Sequence, residues 1–247
     1  MSTRWDTPQV AIGFEAYDDL PERTLGYPCV FRALRLGDPD VRMVLDFGCG
    51  PGKVAKRIVT RYEAQVFAVD ASPVMLTIAA DYRADPRIDY RLVRNAEMPF
   101  LSDGVIDAAM SCYVFINIGS LDVIHTIARE VYRVLRPGGR YAVLDTNPDT
   151  TGVEFTTFRS GDPGRHYAQG EQRRVLLRRP DGSELMLLDY HWPKEVYREI
   201  LVDAGFGSID MHEPVLVHPT DVDDAGAVRP WHNESNQPPF FVVVGEK

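Results

Sequence analysis

The stretch Val44-Leu45-Asp46-Phe47-Gly48-Cys49-Gly50-Pro51-Gly52 restricts the fold of this chain more than any other part of its sequence. An apolar run delivers the backbone into a glycine cluster, and residues 53–62 follow with Val54, Ile58 and Val59 near helical spacing. Strand, glycine turn and helix in immediate succession make a βα unit. Glycine lets such a turn be sharp and lets a ligand approach backbone that a Cβ would block. The cluster fails as a phosphate-cradling loop. That motif needs a further glycine where Phe47 stands and a serine or threonine where Val54 stands. A dinucleotide fingerprint is weak too, because Lys53 occupies the place of its third glycine or alanine.

The alternation continues downstream. Residues 66–69 read as a second buried strand, and Ser72-Pro73 as a helix start, since serine caps free amides and proline fits a first turn. Residues 90–93 and 105–113 read as strands. A helix over 122–135 buries Ile124, Ile127, Val131 and Val134, and Arg136-Pro137-Gly138-Gly139 stops it before a strand over 140–144. Strands separated by helices imply right-handed crossovers and a parallel sheet. After Asp145 the pattern changes to a polar loop and a hairpin, 174–178 and 184–190 around Pro180-Asp181-Gly182. A helix over 193–204 ends at Gly205, and 208–217 and 240–245 read as closing strands. The chain thus divides into a helical amino-terminal cap (1–40), a ligand-binding core (41–146), an inserted lid (147–192) and a last helix with two strands (193–247).

Length and charge agree with this division. The 247 residues suffice for one α/β domain with a lid. A formal net charge of -9 argues against a nucleic-acid partner, which demands a basic face. Cys29, Cys49 and Cys112 are odd in number and show no metal-ligand spacing, so no metal site is expected. No apolar stretch approaches the roughly 20 residues that span a bilayer, and the first residues lack the apolar run of a signal peptide. The expectation is a cytoplasmic protein without a membrane partner; homo-oligomerisation is left open.

With its strand, the Asp46-x-Gly48-x-Gly50-x-Gly52 turn resembles the signature of class I S-adenosylmethionine-dependent methyltransferases. Further segments fall in that family's order. Ala68-Val69-Asp70 ends the second strand, Ser72-Pro73-Val74-Met75-Leu76 is similar to Ser-x-x-Met-Leu, and Asn95-Ala96-Glu97-Met98-Pro99-Phe100 to Asp-Ala-Glu-x-Leu-Pro-Phe. Leu135-Arg136-Pro137-Gly138-Gly139 matches the turn before strand five. The resemblance implies an α/β Rossmann-like fold, with a seven-stranded, mostly parallel sheet whose last strand is antiparallel. It implies S-adenosylmethionine as cofactor. Gly48 and Gly50 then lie against the methionine moiety, and Asp46 anchors the loop or the ligand's ammonium group. Asp70 accepts the ribose hydroxyls, with Ala71 beside it, and Met75 lies on the adenine. Asn95, replacing the usual aspartate, and Ala96 meet the adenine amino group, and Ser111 faces the methionine end. A tyrosine on the amino-terminal segment, such as Tyr17, closes over the donor.

The acceptor is expected to be a small organic molecule, as in bacterial secondary metabolism. Two rivals remain: a donor-binding relative that serves as a cyclase or binding subunit, and a methyltransferase acting on RNA or protein. The insertion carries Phe155, Phe158, His166, Tyr167, Tyr190, His191 and Trp192, which suit a lid over an acceptor site. Arg173, Arg174, Arg178 and Arg179 read as the solvated face of its hairpin. Where the acceptor must lose a proton, histidine is the side chain that titrates near neutrality. His191 is the first candidate, then His166, then Tyr17. His125 sits on a helix, and His212, His218 and His232 lie far along the tail.

Overall fold

Successive residues of the first strand, Met43–Phe47 (β1), enter two different cores: Val44 packs on one side of the sheet, Leu45 and Phe47 on the other. The same split recurs in Phe240–Glu246 (β10), where Val242 and Val244 face one way and Phe241 and Val243 the other. A strand apolar on both faces must be covered on both faces, which is the condition of a parallel α/β sheet. This computed structural model describes residues 3–217 and 231–247.

The sheet has seven strands. Gln65–Asp70 (β2), Ile88–Leu92 (β3), Ile106–Cys112 (β4), Leu135–Thr146 (β5) and Ser208–His212 (β9) join β1 and β10 in the order β3-β2-β1-β4-β5-β10-β9. β10 runs antiparallel to both its neighbours, as the resemblance implies, and β1 to β5 are parallel. Helix Lys53–Arg61 (α3) buries Val54, Ala55, Ile58 and Val59 against one face. Leu121–Val134 (α5) and Lys194–Ala204 (α6) cover the other, α5 through Ile124, Ile127, Ala128 and Val131 at helical spacing. Pro73–Arg83 (α4) starts at Ser72, whose Oγ accepts from the Met75 amide at 3.2 Å. Among the described residues no helix is long and apolar enough to cross a membrane.

Two strand expectations shift. Residues 136–139 do not precede β5 but loop out within it: Leu135 pairs with Ile106 and Arg140 with Ala108, with a register break between them. The closing strand expected to reach residue 217 stops at His212, two positions before Pro214, which has no amide to offer a ladder.

The amino-terminal segment folds as Pro8–Glu15 (α1), a single π-helical turn Glu22–Gly26, and Tyr27–Ala33 (α2). The insertion after β5 builds a three-stranded antiparallel sheet, Phe158–Ser160 (β6), Gln172–Arg178 (β7) and Glu184–Tyr190 (β8). The expected hairpin is therefore present with one strand more. Its inner face joins the core through Val175, Leu177 and Leu187. Stacked rings continue that contact: Phe155 on Phe158 at 5.1 Å and Phe158 on Phe240 at 5.3 Å.

One hairpin arginine overturns its solvated assignment. Arg174 is exposed, but Arg173, one residue earlier, points to the buried side and is 2% accessible. Its Nε donates to Asp189 Oδ1 at 2.9 Å, and its Nη atoms donate to Thr146 Oγ1 at 2.7 Å and Thr151 Oγ1 at 3.0 Å. Burial pushes the Asp189 carboxyl up to about 6, against the lowering by Arg173. Removing one member of such a pair strands the other charge. Arg173→Met is expected to lose about 3–5 kcal/mol in urea unfolding, and Arg173→Met with Asp189→Leu to regain most of it. Equal stability of the single variant and the wild type overturns this reading.

Candidate functional site

The carboxyl ends of β1, β2 and β4, the amino-terminal segment and the lid enclose one cavity of about 740 Å³. Its position follows the rule for open α/β sheets, where ligands sit beyond the strand ends. The first part of its wall is the glycine turn. Gly48, Gly50 and Gly52 all adopt positive φ, and a Cβ at Gly48 would collide with the Val114 side chain. At Gly50 (φ +52°) an added Cβ meets no protein atom within 4 Å. That space is part of the cavity.

Asp46 and Asp70 stand at the ends of adjacent strands. One Asp46 oxygen takes a backbone hydrogen bond from Ala55, in the first turn of α3. Its Oδ2 is buried, with no hydrogen-bond partner among the described residues. Burial, and the neighbouring Asp70 after it, push the Asp46 carboxyl up to about 7. Asp70 Oδ2 accepts from the Gly50 amide at 2.8 Å and Oδ1 from the Ser72 amide at 2.7 Å. Burial raises its pKa, and these amides hold it down. Ala71, Met75, Asn95 and Ala96 also line this end. Asn95 and Ala96 are consecutive left-handed residues at φ +53° and +63°, a conformation uncommon outside glycine and concentrated at ligand sites.

Lys53, the residue that breaks the dinucleotide fingerprint, has a job here. Its Nζ donates to the carbonyls of Glu15 at 2.8 Å and Tyr17 at 3.4 Å, tying the amino-terminal segment to α3. That segment closes the cavity from above. Trp5 lines it, donates Nε1 to Asn117 Oδ1 at 3.1 Å, and accepts at its carbonyl from Ser72 Oγ at 2.9 Å. Tyr17 is buried in the wall, donating to Glu22 Oε1 at 2.7 Å and lying 2.9 Å from Thr157 Oγ1.

Three expected residues lie elsewhere. Ser111 faces away from the cavity because strand neighbours alternate: Met110 and Cys112 point to the cavity's core, while Ser111 Oγ meets Tyr141 OH at 2.7 Å on the other side. His191 is half-buried outside the cavity lining, with its ring 6.1 Å from Tyr167. Burial, and then Arg173, lower its pKa. His166 is exposed on the loop before β7 and also stands off the cavity. His125, His212 and His232 do not line it, and His218 lies outside the described residues. The sequence missed Glu22, which lines the cavity at 5% exposure, and the inner-face lid residues Val175, Leu177 and Leu187.

The comparisons agree with this geometry. A family profile described as a methyltransferase domain matches residues 44–139. N-demethylindolmycin N-methyltransferase of Streptomyces griseus is 36% identical over 222 residues, 88% of this chain and 91% of that protein. The chain belongs to the class I S-adenosylmethionine-dependent methyltransferases. A ubiquinone/menaquinone biosynthesis C-methyltransferase of Desulfotalea psychrophila is 33% identical over 74% of this chain and 72% of its own. In fold, the CcbJ methyltransferase of Streptomyces caelestis superposes with a TM-score of 0.64 at 16% identity, covering 99% of this chain and 98% of that one.

S-adenosylmethionine is thus the cofactor of this methyltransferase, and it supplies an activated methyl group on a sulfonium. The residues present fit it: the unfilled space at Gly50 and the orphaned Asp46 oxygen suit a ligand that brings an ammonium group and no phosphate. The protein's part is to align donor and acceptor and keep water out.

Two measurements probe this end. Asp70→Ala is expected to weaken donor binding about 10–100-fold in calorimetry, since it removes charge-assisted acceptors and the tie to Gly50. Gly50→Ala is expected to weaken it at least as much, with a modest loss of melting temperature from its positive φ. Normal donor affinity in both variants places the donor elsewhere. The Asp46 carboxyl also makes binding depend on pH. An ammonium prefers the carboxylate, which is lost as pH falls through about 7. Donor affinity is expected to drop roughly 10-fold from pH 8 to pH 6, and Asp46→Asn to flatten that dependence. An unchanged slope in Asp46→Asn contradicts the assignment.

Proposed function

We propose that this methyltransferase transfers its methyl group to a nitrogen of a small, largely apolar molecule buried under the lid, as part of bacterial secondary metabolism. One observation carries the reading: the cavity does not end at the donor cradle but continues beneath the hairpin. There it is walled by Phe158, Val175, Leu177 and Leu187, with Tyr27 and Tyr113 opposite. A pocket of this kind takes an apolar ligand and fixes it with few polar contacts. The roof, formed by the amino-terminal segment and a lid pinned through Trp192 Nε1 to the Ile118 carbonyl at 3.1 Å, covers part of the cavity and suits a small molecule. A polymer needs an open groove. The net charge of -9 likewise disfavours RNA. Nitrogen as the acceptor atom rests on the Streptomyces griseus relative, whose name records N-methylation.

The test is a panel of aryl and indolyl amines, beginning with N-demethylindolmycin, incubated with enzyme and S-adenosylmethionine and read by mass for the gain of one methyl group. At least one amine of the panel is expected to be converted, with fragmentation placing the methyl on nitrogen. Methylation confined to carbon or oxygen acceptors, or a salt-sensitive nanomolar complex with RNA that is methylated instead, overturns the proposal.

A further inference from the structure

Glu22 is a buried acid with no structural occupation for one of its oxygens. It lines the cavity, is 5% exposed, and spends Oε1 on the Tyr17 hydroxyl at 2.7 Å. Oε2 is buried and finds no hydrogen-bond partner among the described residues. A carboxylate left this way costs free energy unless a ligand completes it. The backbone that holds it is equally unusual. Glu22 opens the π-helical turn Glu22–Gly26, and isolated π turns recur at functional sites. Gly26 closes that turn against the sheet: a Cβ there would lie 3.1 Å from Leu144 Cδ2 and 3.4 Å from Tyr113 OH.

Glu22 lines the cavity together with Tyr17, Tyr27 and Tyr113. Tyr113 sits at φ +59°, strained for a bulky residue, and its hydroxyl is also buried without a hydrogen-bond partner among the described residues. From the lid, Thr157 reaches the Tyr17 hydroxyl at 2.9 Å, so the Glu22 cluster bridges the cap and the lid. The charged groups around it are few. Asp19 pairs with Arg57 at 2.8 Å, and Lys53 is held by backbone carbonyls. Tyr27 and Tyr113 also face it, each pushed up by burial and so neutral across the physiological range, and Arg57 adds a distant positive charge.

Resting on the reading above that the acceptor is a nitrogen, we propose that Glu22 is the catalytic residue that binds the acceptor N–H through Oε2 and takes its proton. The acceptor is then an amine that still carries a hydrogen on the nitrogen to be methylated. Its lone pair forms the new N–C bond while the sulfonium C–S bond breaks, and the electron pair of that bond stays on sulfur as a neutral thioether. As positive charge develops on the nitrogen in that step, its proton passes to Oε2, so the product leaves as the neutral methylated amine with Glu22 as the neutral acid. Tyr17 holds the carboxylate through Oε1 and keeps it aimed.

Burial, with Asp19 adding to it, pushes the Glu22 carboxyl up to about 8, although Tyr17 and Lys53 favour its charged form. The base form therefore appears only as pH rises through about 8. The experiment has two arms. In single-turnover methylation of the best amine from the panel, the wild-type rate is expected to rise with pH and level off above about 8. Glu22→Gln should be slower by about 10²–10⁴-fold and flat in pH, with calorimetric donor affinity unchanged. A Glu22→Gln rate within about threefold of wild type, or the same pH midpoint, overturns the proposal.

The second arm needs no acceptor. Infrared difference titration of the wild type is expected to show a protonated-carboxyl band with a midpoint near 8 that is missing in Glu22→Gln. A Glu22 band at the ordinary carboxylate position, or a band near 8 that survives in Glu22→Gln, overturns it. If the panel yields no methylated amine, the nitrogen reading fails, and the infrared arm still decides whether Glu22 is the high-pKa base.

Discussion

The parallel pairing of β1 with β2 sets Asp46 opposite Ala68, which brings Asp46 and Asp70 together at one edge of the sheet. Burial pushes both carboxyls toward their neutral forms, and at Asp46 the neighbouring Asp70 adds to it. Backbone amides make the arrangement tolerable. Ala55 at the head of α3 satisfies one oxygen of Asp46, while Gly50 and Ser72 satisfy Asp70. These bonds also draw the shape of the cradle, because they tie the turn after β1 to the turn after β2. The glycine loop cannot relax without freeing an acid. The Oδ2 of Asp46 is the oxygen these amides leave without a hydrogen-bond partner among the described residues.

The acceptor end follows a different logic. Its walls come from segments far apart in sequence, the amino-terminal cap and the inserted sheet, joined by a handful of polar ties. Thr3 Oγ1 donates to the Leu188 carbonyl at 2.8 Å and accepts from the Leu188 amide at 2.7 Å, so cap and lid hold each other. Tyr17 adds a second tie through Glu22 and Thr157. Cap, lid and donor turn therefore form one enclosure, and the polar group most deeply set in it is an acid.

What was legible in the sequence was local and periodic. The glycine turn, the Ser72 cap, the helix spacing of α5 and the left-handed stop at Gly205 are each written in adjacent residues, and each stands where it was read. What failed depended on facing. Ser111 and Arg173 differ from Cys112 and Arg174 by one strand position, and a single step reverses the side of the sheet. No neighbour-by-neighbour pattern shows that Arg173 meets Asp189 across the hairpin. His191 drew attention because histidine titrates near neutrality, yet, one residue past β8, it stands outside the cavity lining. Glu22 drew none, because an ordinary glutamate in a polar segment gives no sign of a π turn, of burial or of the Tyr17 hydroxyl that meets it. Its chemistry comes from three-dimensional company.

The place of β10 has a consequence for the order in which the chain can acquire its shape. β1 to β4 pair among themselves, and the donor half of the sheet is complete in sequence by residue 112. β5 is different: its outer edge is filled by Phe240–Glu246, at the far end of the chain, with Phe240 opposite Thr146. On a ribosome that edge stays open through the synthesis of the lid and α6. Long-range antiparallel closure is slow, and an unpaired central strand invites intermolecular pairing while it waits. The inserted sheet emerges during that interval, and its apolar face lacks Phe240 to stack on. Nascent chains released before residue 240 thus carry a formed donor half beside an exposed edge, the species most prone to aggregate.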